Sequence, residues 1–245
     1  MRHALKKVLI TGGTRGIGRA LAAALHEEGC EVLVCGRDKE AVGRARDELG
    51  VRAVACDVTS PAGRAQLCSV VRGELCGLDL LINNAGAQRE HDIMEGLDLE
   101  AVRREIALNL LAPIALTDAL LPLLLSSPDA AVVNISSALA LVPSARAPVY
   151  GATKAGLSSW SVALRAQLEK TTVRVVEVVP PLVATAMSAG RQRGAISAER
   201  AAEGIVSGLR RGRARIVIGK ARILCGVHRL SPALARRVLA AAERS

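Results

Sequence analysis

Lys7-Val8-Leu9-Ile10-Thr11-Gly12-Gly13-Thr14-Arg15-Gly16-Ile17-Gly18 is the stretch on which the reading of this chain turns. Residues 7–11 read as a short apolar strand. Glycines at 12, 13, 16 and 18 follow at once, and from Ile17 to Glu28 the apolar residues return at helical spacing until Gly29 ends the run. A glycine-rich turn between a strand and a helix lets backbone N–H groups approach a pyrophosphate at the positive end of the helix. A plain strand-to-helix turn could use the same glycines, so the wider pattern has to decide.

Working outward, apolar strand-like runs recur at 31–35, 51–56, 78–83, 130–135, 173–179 and 215–218. Helical patterns fill 38–49, 61–75, 99–125 and 148–170. Most of the strands are continuous apolar runs, as expected when both sheet faces are covered. The alternation predicts an α/β chain: a Rossmann-like doubly wound parallel sheet of about seven strands, helices on both faces, in a single domain. Residues 1–187 are expected to form the dinucleotide-binding and catalytic body. Residues 188–245 are expected to form a substrate-loop region and a basic extension packed on it.

Composition narrows the function. The chain has 245 residues, half of them hydrophobic, but only one Trp, one Tyr and no Phe. The core is therefore aliphatic, and a binder that stacks nucleic-acid bases is excluded for want of aromatic faces. The apolar runs look too short to span a membrane. Six cysteines form no Cys-x-x-Cys pair and have no His at ligand spacing, so neither a metal site nor a disulfide framework is expected. Reduced thiols and the lack of a signal-peptide pattern point to a cytoplasmic protein. The net charge of +10 lies wholly in residues 186–245, which hold 13 Lys and Arg against 3 acidic residues. Such asymmetry argues for a local basic surface and against a nucleic-acid-binding body.

The spacing Thr-Gly-x-x-x-Gly-x-Gly resembles the short-chain dehydrogenase/reductase family. The resemblance implies that Gly12, Thr14, Arg15, Gly16, Ile17 and Gly18 form the phosphate-facing turn. It further implies that Asp57 and Val58 contact adenine, and that Asn83, Ala85 and Gly86 line the adenosine side. After strand six, Pro180, Val183 and Thr185 match residues at the nicotinamide end, while Pro181 stands where the family usually has Gly. Strand two ends Val34-Cys35-Gly36-Arg37, with no carboxylate at Gly36 for the ribose hydroxyls. Arg37 and Arg15 instead suit a 2′-phosphate through charge-assisted hydrogen bonds, so NADP(H) is expected ahead of NAD(H). The alternative is that Arg37 is a solvated helix-start residue, and Asp38 beside it weakens the positive patch.

Tyr150 and Lys154 open a helix four residues apart, and so share one face. A phenol near pKa 10 is a poor acid-base group at neutral pH until a neighbouring ammonium stabilises its phenolate. A snorkelling Lys beside a Tyr would look the same. By resemblance, Ser137, Tyr150 and Lys154 match the family's catalytic Ser, Tyr and Lys, and Asn109 its fourth catalytic residue. Pro113 has no N–H for the Asn109 carbonyl, which leaves that carbonyl free; the resemblance implies that it binds a water of a proton relay, though Pro113 could merely kink the helix. The stretches 84–88 and 148–154, with Pro180-Pro181, resemble a bacterial subgroup encoded with teichoic-acid D-alanylation genes.

The resemblance implies a small-molecule carbonyl or alcohol substrate and hydride transfer, with Tyr150 as acid/base. It also implies a homodimer or homotetramer formed through the helices carrying Asn109 and Tyr150. Ala138, Leu139, Leu141 and Val142 suggest a weakly apolar pocket. Arg191 and Arg193, flanked by Gly190 and Gly194, fall in the family's substrate-covering loop. Residues 221–242 interleave apolar and basic side chains, broken at Ser231-Pro232 into two helices. They could cover the body with arginines in water, or make weak contact with an anionic membrane surface. A cofactor-binding regulator or scaffold with little turnover is the alternative to an enzyme.

Overall fold

The structure is a computed structural model, and it describes residues 6–185, 187 and 194–244. Seven strands form one sheet: β1 (Lys7–Thr11), β2 (Glu31–Gly36), β3 (Arg52–Ala55), β4 (Leu80–Asn83), β5 (Ala130–Ile135), β6 (Val173–Val179) and β7 (Arg215–Val217). All neighbours run parallel, in the order β3-β2-β1-β4-β5-β6-β7. The order reverses at β1, which lies between β2 and β4. In an open parallel sheet, such a reversal opens a ligand crevice outside the carboxyl ends of the strands.

Helices α1 (Gly16–Glu27), α2 (Lys39–Leu49) and α7 (Ala198–Arg210) bury Leu21, Leu25, Ala45, Ile205 and Leu209 against one face of the sheet. Helices α3 (Pro61–Val70), α5 (Ala112–Leu125) and α6 (Pro148–Gln167) bury Leu67, Leu116, Leu120, Leu124 and Leu164 against the other. Helix α4 (Leu99–Ile106) precedes α5, and α8 (Ala221–Leu230) with α9 (Pro232–Arg244) closes the chain as a helical hairpin. Both faces are aliphatic, as the composition requires. Helix starts follow local chemistry. Asp38 accepts from the N–H of Glu40 and Ala41, Ser60 from Gly63, and Asp98 from Glu100 and Ala101.

Some boundaries differ from expectation. The helical patterns at 61–75 and 99–125 each include a π turn, at Val71–Leu75 and Ala107–Leu111. In the second, Ala112 N–H reaches back to the Ala107 carbonyl, a five-residue step. Pro113, which cannot donate, follows directly, so the frame shift falls where the α-helical ladder would lose a bond. Helix α6 ends at Gln167, short of 170, and β4 begins only at Leu80.

The expectation about apolar runs also needs correcting. The continuous helical run Leu99–Leu125 is long and apolar enough, by length and composition, to cross a membrane. Its Leu116, Leu120 and Leu124 are packed in the core under the sheet. Ile106, Leu111 and Leu125 remain exposed.

Candidate active site

The glycine turn is built by backbone constraint. Gly12 and Gly16 adopt φ of 64° and 53°, which side-chain-bearing residues avoid. A Cβ on Gly18 would lie 2.3 Å from the Gly12 carbonyl oxygen and 2.4 Å from Asn84 Nδ2. One on Gly16 would lie 2.9 Å from Thr185 Cγ2. Thr11 Oγ1 accepts from the N–H of Asn84 (3.1 Å) and Ala85 (3.0 Å), and Asn84 Nδ2 donates to the carbonyls of Thr11 (2.9 Å) and Gly12 (3.1 Å). The turn is thereby stapled to the exit of β4. The first turn of α1 holds no acidic residue, so its positive end is uncompensated.

A cleft of about 1140 Å³ runs from this turn along the carboxyl edge of the sheet. Of the residues expected at the cofactor, Gly12, Thr14, Arg15, Gly16, Ile17, Arg37, Val58, Ala85, Gly86, Pro180, Val183 and Thr185 line it. Gly18, Asp57 and Asn83 do not. Gly18 lies beneath the turn. Asp57 Oδ1 is occupied by the N–H (2.9 Å) and hydroxyl (2.7 Å) of Thr59. Burial alone would raise this carboxyl's pKa, but the two Thr59 bonds and the Arg37 charge outweigh it and hold it below the usual range. Asn83 is buried in the sheet, where its Nδ2 donates to Asn134 Oδ1 (2.9 Å) and Thr117 Oγ1 (3.3 Å). Its neighbour Asn84 lines the cleft instead. Strand alternation explains this, since adjacent residues leave a strand on opposite sides.

At the adenosine end Arg15 and Asp38 form an ion pair on the surface. Arg37 has no ion-pair partner among the described residues. Asp38 is the only carboxylate on the cleft wall among the described residues. A pyrophosphate fits the donor-rich, glycine-rich turn at the start of α1, and the residues present fit a nicotinamide dinucleotide along the cleft.

At the other end Ser137, Tyr150 and Lys154 line the same cleft. Ser137 leaves β5 and caps the 3₁₀ turn Ala138–Ala140, its Oγ accepting from Leu139 N–H (3.1 Å). Ser136, its neighbour, is buried and donates toward the Lys154 carbonyl. Lys154 is only 4% exposed, and its Nζ donates to the Ile135 carbonyl at 2.8 Å. The ammonium lies 5.6 Å from the centre of the Tyr150 ring. Desolvation lowers the Lys154 pKa to about 8.

Asn109 sits one layer back, fully buried in the π turn and off the cleft wall. Its amide accepts from Ala87 N–H (2.9 Å) and donates to the Ala87 carbonyl (2.8 Å) and Thr153 Oγ1 (3.2 Å). It thus braces the loop after β4 against α6. Asn109 Oδ1 and Lys154 Nζ would lie 3.2 and 3.6 Å from a Cβ on Gly86, so glycine leaves room for both.

The π turn and the brace could not be read from spacing. Neither could Asn84, Gln88, Arg146 and the hairpin residues that also line the cleft. Ala138 and Leu139 are on the wall, but Leu141 and Val142 are not, and Val142 is buried. Pro181 packs against Gly219, whose added Cβ would meet its ring at 3.5 Å. Residues 188–193 of the expected covering loop, with Arg191 and Arg193, lie outside the described residues.

A doubly wound sheet with its glycine turn at the switch point, and a single cleft leading from it to a Tyr–Lys helix, is the architecture of a nicotinamide-dependent oxidoreductase. The chain belongs to the short-chain dehydrogenase family, whose model matches residues 6–195. It is 39% identical over 224 residues to the oxidoreductase DltE of Bacillus subtilis, covering 88% of this chain and 89% of that one. It is 32% identical over 178 residues to the NADP-dependent 3-hydroxy acid dehydrogenase YdfG of Escherichia coli, covering 72% of each. Among solved structures, a short-chain dehydrogenase from Burkholderia cenocepacia in complex with NADP superposes with a TM-score of 0.83 at 29% identity, covering 98% of both chains. This chain is therefore an NAD(P)-dependent short-chain dehydrogenase/reductase.

Proposed function

We propose that the protein interconverts a carbonyl compound and a secondary alcohol, with NADP(H) preferred and Tyr150 as acid/base. The observation that carries this is the convergence of Ser137, Tyr150 and Lys154 on one cleft with the glycine turn. When bound, the nicotinamide supplies the hydride or takes it back. Ser137 Oγ holds the substrate oxygen, and Tyr150 passes it a proton, or removes one in the reverse direction. Lys154 is held by Ile135, close enough to Tyr150 for its ammonium to favour the phenolate. The backbone carbonyl of Asn109, four residues before a proline that cannot donate to it, would hold the water that returns protons to Lys154.

The NADP preference is supported by the missing carboxylate at Gly36 and by Arg15 and Arg37 on the cleft wall. The NADP in the Burkholderia structure and the name of the Escherichia relative point the same way. Six free thiols suit a reducing compartment, and the cytoplasm is the proposed location.

The test follows NADPH and NADH consumption in parallel against a panel of ketones and aldehydes, for wild type and Tyr150→Phe. Wild type is expected to consume NADPH faster than NADH. Tyr150→Phe should lose at least a hundredfold in kcat, the scale of general acid catalysis, while still binding NADPH. Full turnover by the variant would refute the role of Tyr150.

A further inference from the structure

The basic C-terminal hairpin meets the cleft with its apolar side. Ala221, Ile223, Leu224 and Val227 of α8, and Val238 and Leu239 of α9, all line it. In α8, Ala221, Leu224 and Val227 follow one another at three-residue steps along one helical face, and Ile223, four residues before Val227, lies at its edge. Arg222, Arg229, Arg236 and Arg237, from the same two helices, are exposed and off the wall. The hairpin also packs on the 3₁₀ turn that begins at Ser137, so its apolar face adjoins the reacting end of the cleft. Ala138, Leu139 and Leu182 line the same cleft, and none of them brings an aromatic ring or a carboxylate.

On the hairpin, Ile223 and Val238 are wall residues that remain wet. Ile223 is 69% exposed and Val238 48% exposed. Aliphatic side chains at the mouth of a cleft, continuous with the proton-donating residues, gain most from a ligand that is itself aliphatic.

We infer that α8 and α9 form a slot for a straight aliphatic chain, and that the natural substrate carries its carbonyl or alcohol on such a chain. The substrate class rests on the oxidoreductase reading above; the slot itself does not. A flexible chain suits this wall better than a ring system, because no aromatic face is present to stack on it.

The test uses straight-chain amides from butanamide to octanamide, whose carbonyls NADPH does not reduce. Their binding to the full-length enzyme loaded with NADPH is followed by calorimetry. Affinity should rise roughly threefold to fourfold per added methylene, the gain from burying one CH₂. Ile223→Ser and Val238→Asn, at exposed positions that leave no core cavity, should each flatten that rise while NADPH affinity and melting temperature stay as in wild type. Affinity that does not change with chain length in wild type overturns the slot. A rise that survives unchanged in both variants overturns its placement on the hairpin.

NADPH consumption with the ketones of matching length separates the two readings. A methylene-dependent rise in amide affinity without any turnover keeps the slot and refutes the redox reading. Turnover without such a rise does the reverse.

Discussion

Lys154 bears the largest electrostatic cost in the site. Its amine is buried, accepts no salt-bridge partner among the described residues, and has one hydrogen bond, to Ile135. Desolvation takes its pKa from 10.5 to about 8. The folded state therefore binds this proton less tightly than the unfolded chain does. Below pH 8 both states are protonated, and the fold bears the full cost of the buried charge, on the order of 3 kcal/mol. Between pH 8 and 10.5 the unfolded chain keeps a proton that the native protein has released, and stability from this group rises with pH. In the cofactor-free protein, Lys154→Met removes the charge but strands the Ile135 carbonyl, at a cost of about 1 kcal/mol. The variant should melt above wild type at pH 7, and that margin should close as pH passes 8 and approaches 10.5. Thermal melts across this range check it, and a margin indifferent to pH would contradict the assigned cause. The same variant should also be inactive, since the charge that destabilises the fold is the one that serves Tyr150.

At the scale of elements, three devices place the chemistry. The glycine turn joins β1 to α1 so closely that no Cβ fits at Gly18. Gly18→Ala should cost about 1–3 kcal/mol through this overpacking, because the clash is with the Gly12 backbone as well as with Asn84. NADPH affinity should fall with it, as the turn that Gly12 forms has to shift; chemical denaturation and a fluorescence titration measure the two effects. The π turn Ala107–Leu111 is the second device. By taking one extra residue before Pro113, it turns the Asn109 amide toward Ala87 and Thr153, which ties the loop after β4 to α6. The terminal hairpin is the third. Its alternating apolar and basic residues are sorted by the helical period, so that one face lines the cleft and arginines stand in water.

For the whole molecule, charge and apolar surface fall in different places. The basic excess lies on the C-terminal quarter, whereas Ile106, Leu111 and Leu125 of the run Leu99–Leu125, with Val162 on α6, expose aliphatic surface on the helices that carry Asn109 and Tyr150. A second copy of the chain is the expected cover, through a symmetric helix-on-helix contact. Sedimentation velocity at micromolar concentration should find a dimer or tetramer. Leu111→Glu combined with Val162→Glu should shift it to monomer and make the melting temperature less dependent on concentration. A monomeric wild type would leave that surface without a cover of this kind.

The sequence alone determined the chain order of the strands and of the helices other than α7 (Ala198–Arg210), the glycine turn and the Tyr150–Lys154 pair, because each is written in residues close along the chain. A buried parallel strand reads as an apolar run, and a four-residue step is one helical turn whatever surrounds it. Only the tertiary structure decided which groups meet across elements. It put Asn84 rather than Asn83 on the cleft, drew Arg15 to Asp38, closed Asp57 onto Thr59, and turned the apolar side of the basic hairpin toward the reacting residues. The helical run 99–125 around Asn109 was legible at its full length, but that it is long and apolar enough to cross a membrane was missed. Those outcomes depend on strand register, on the frame of a helix after a proline, and on which face of a helix finds a partner, and none of the three is carried by local spacing.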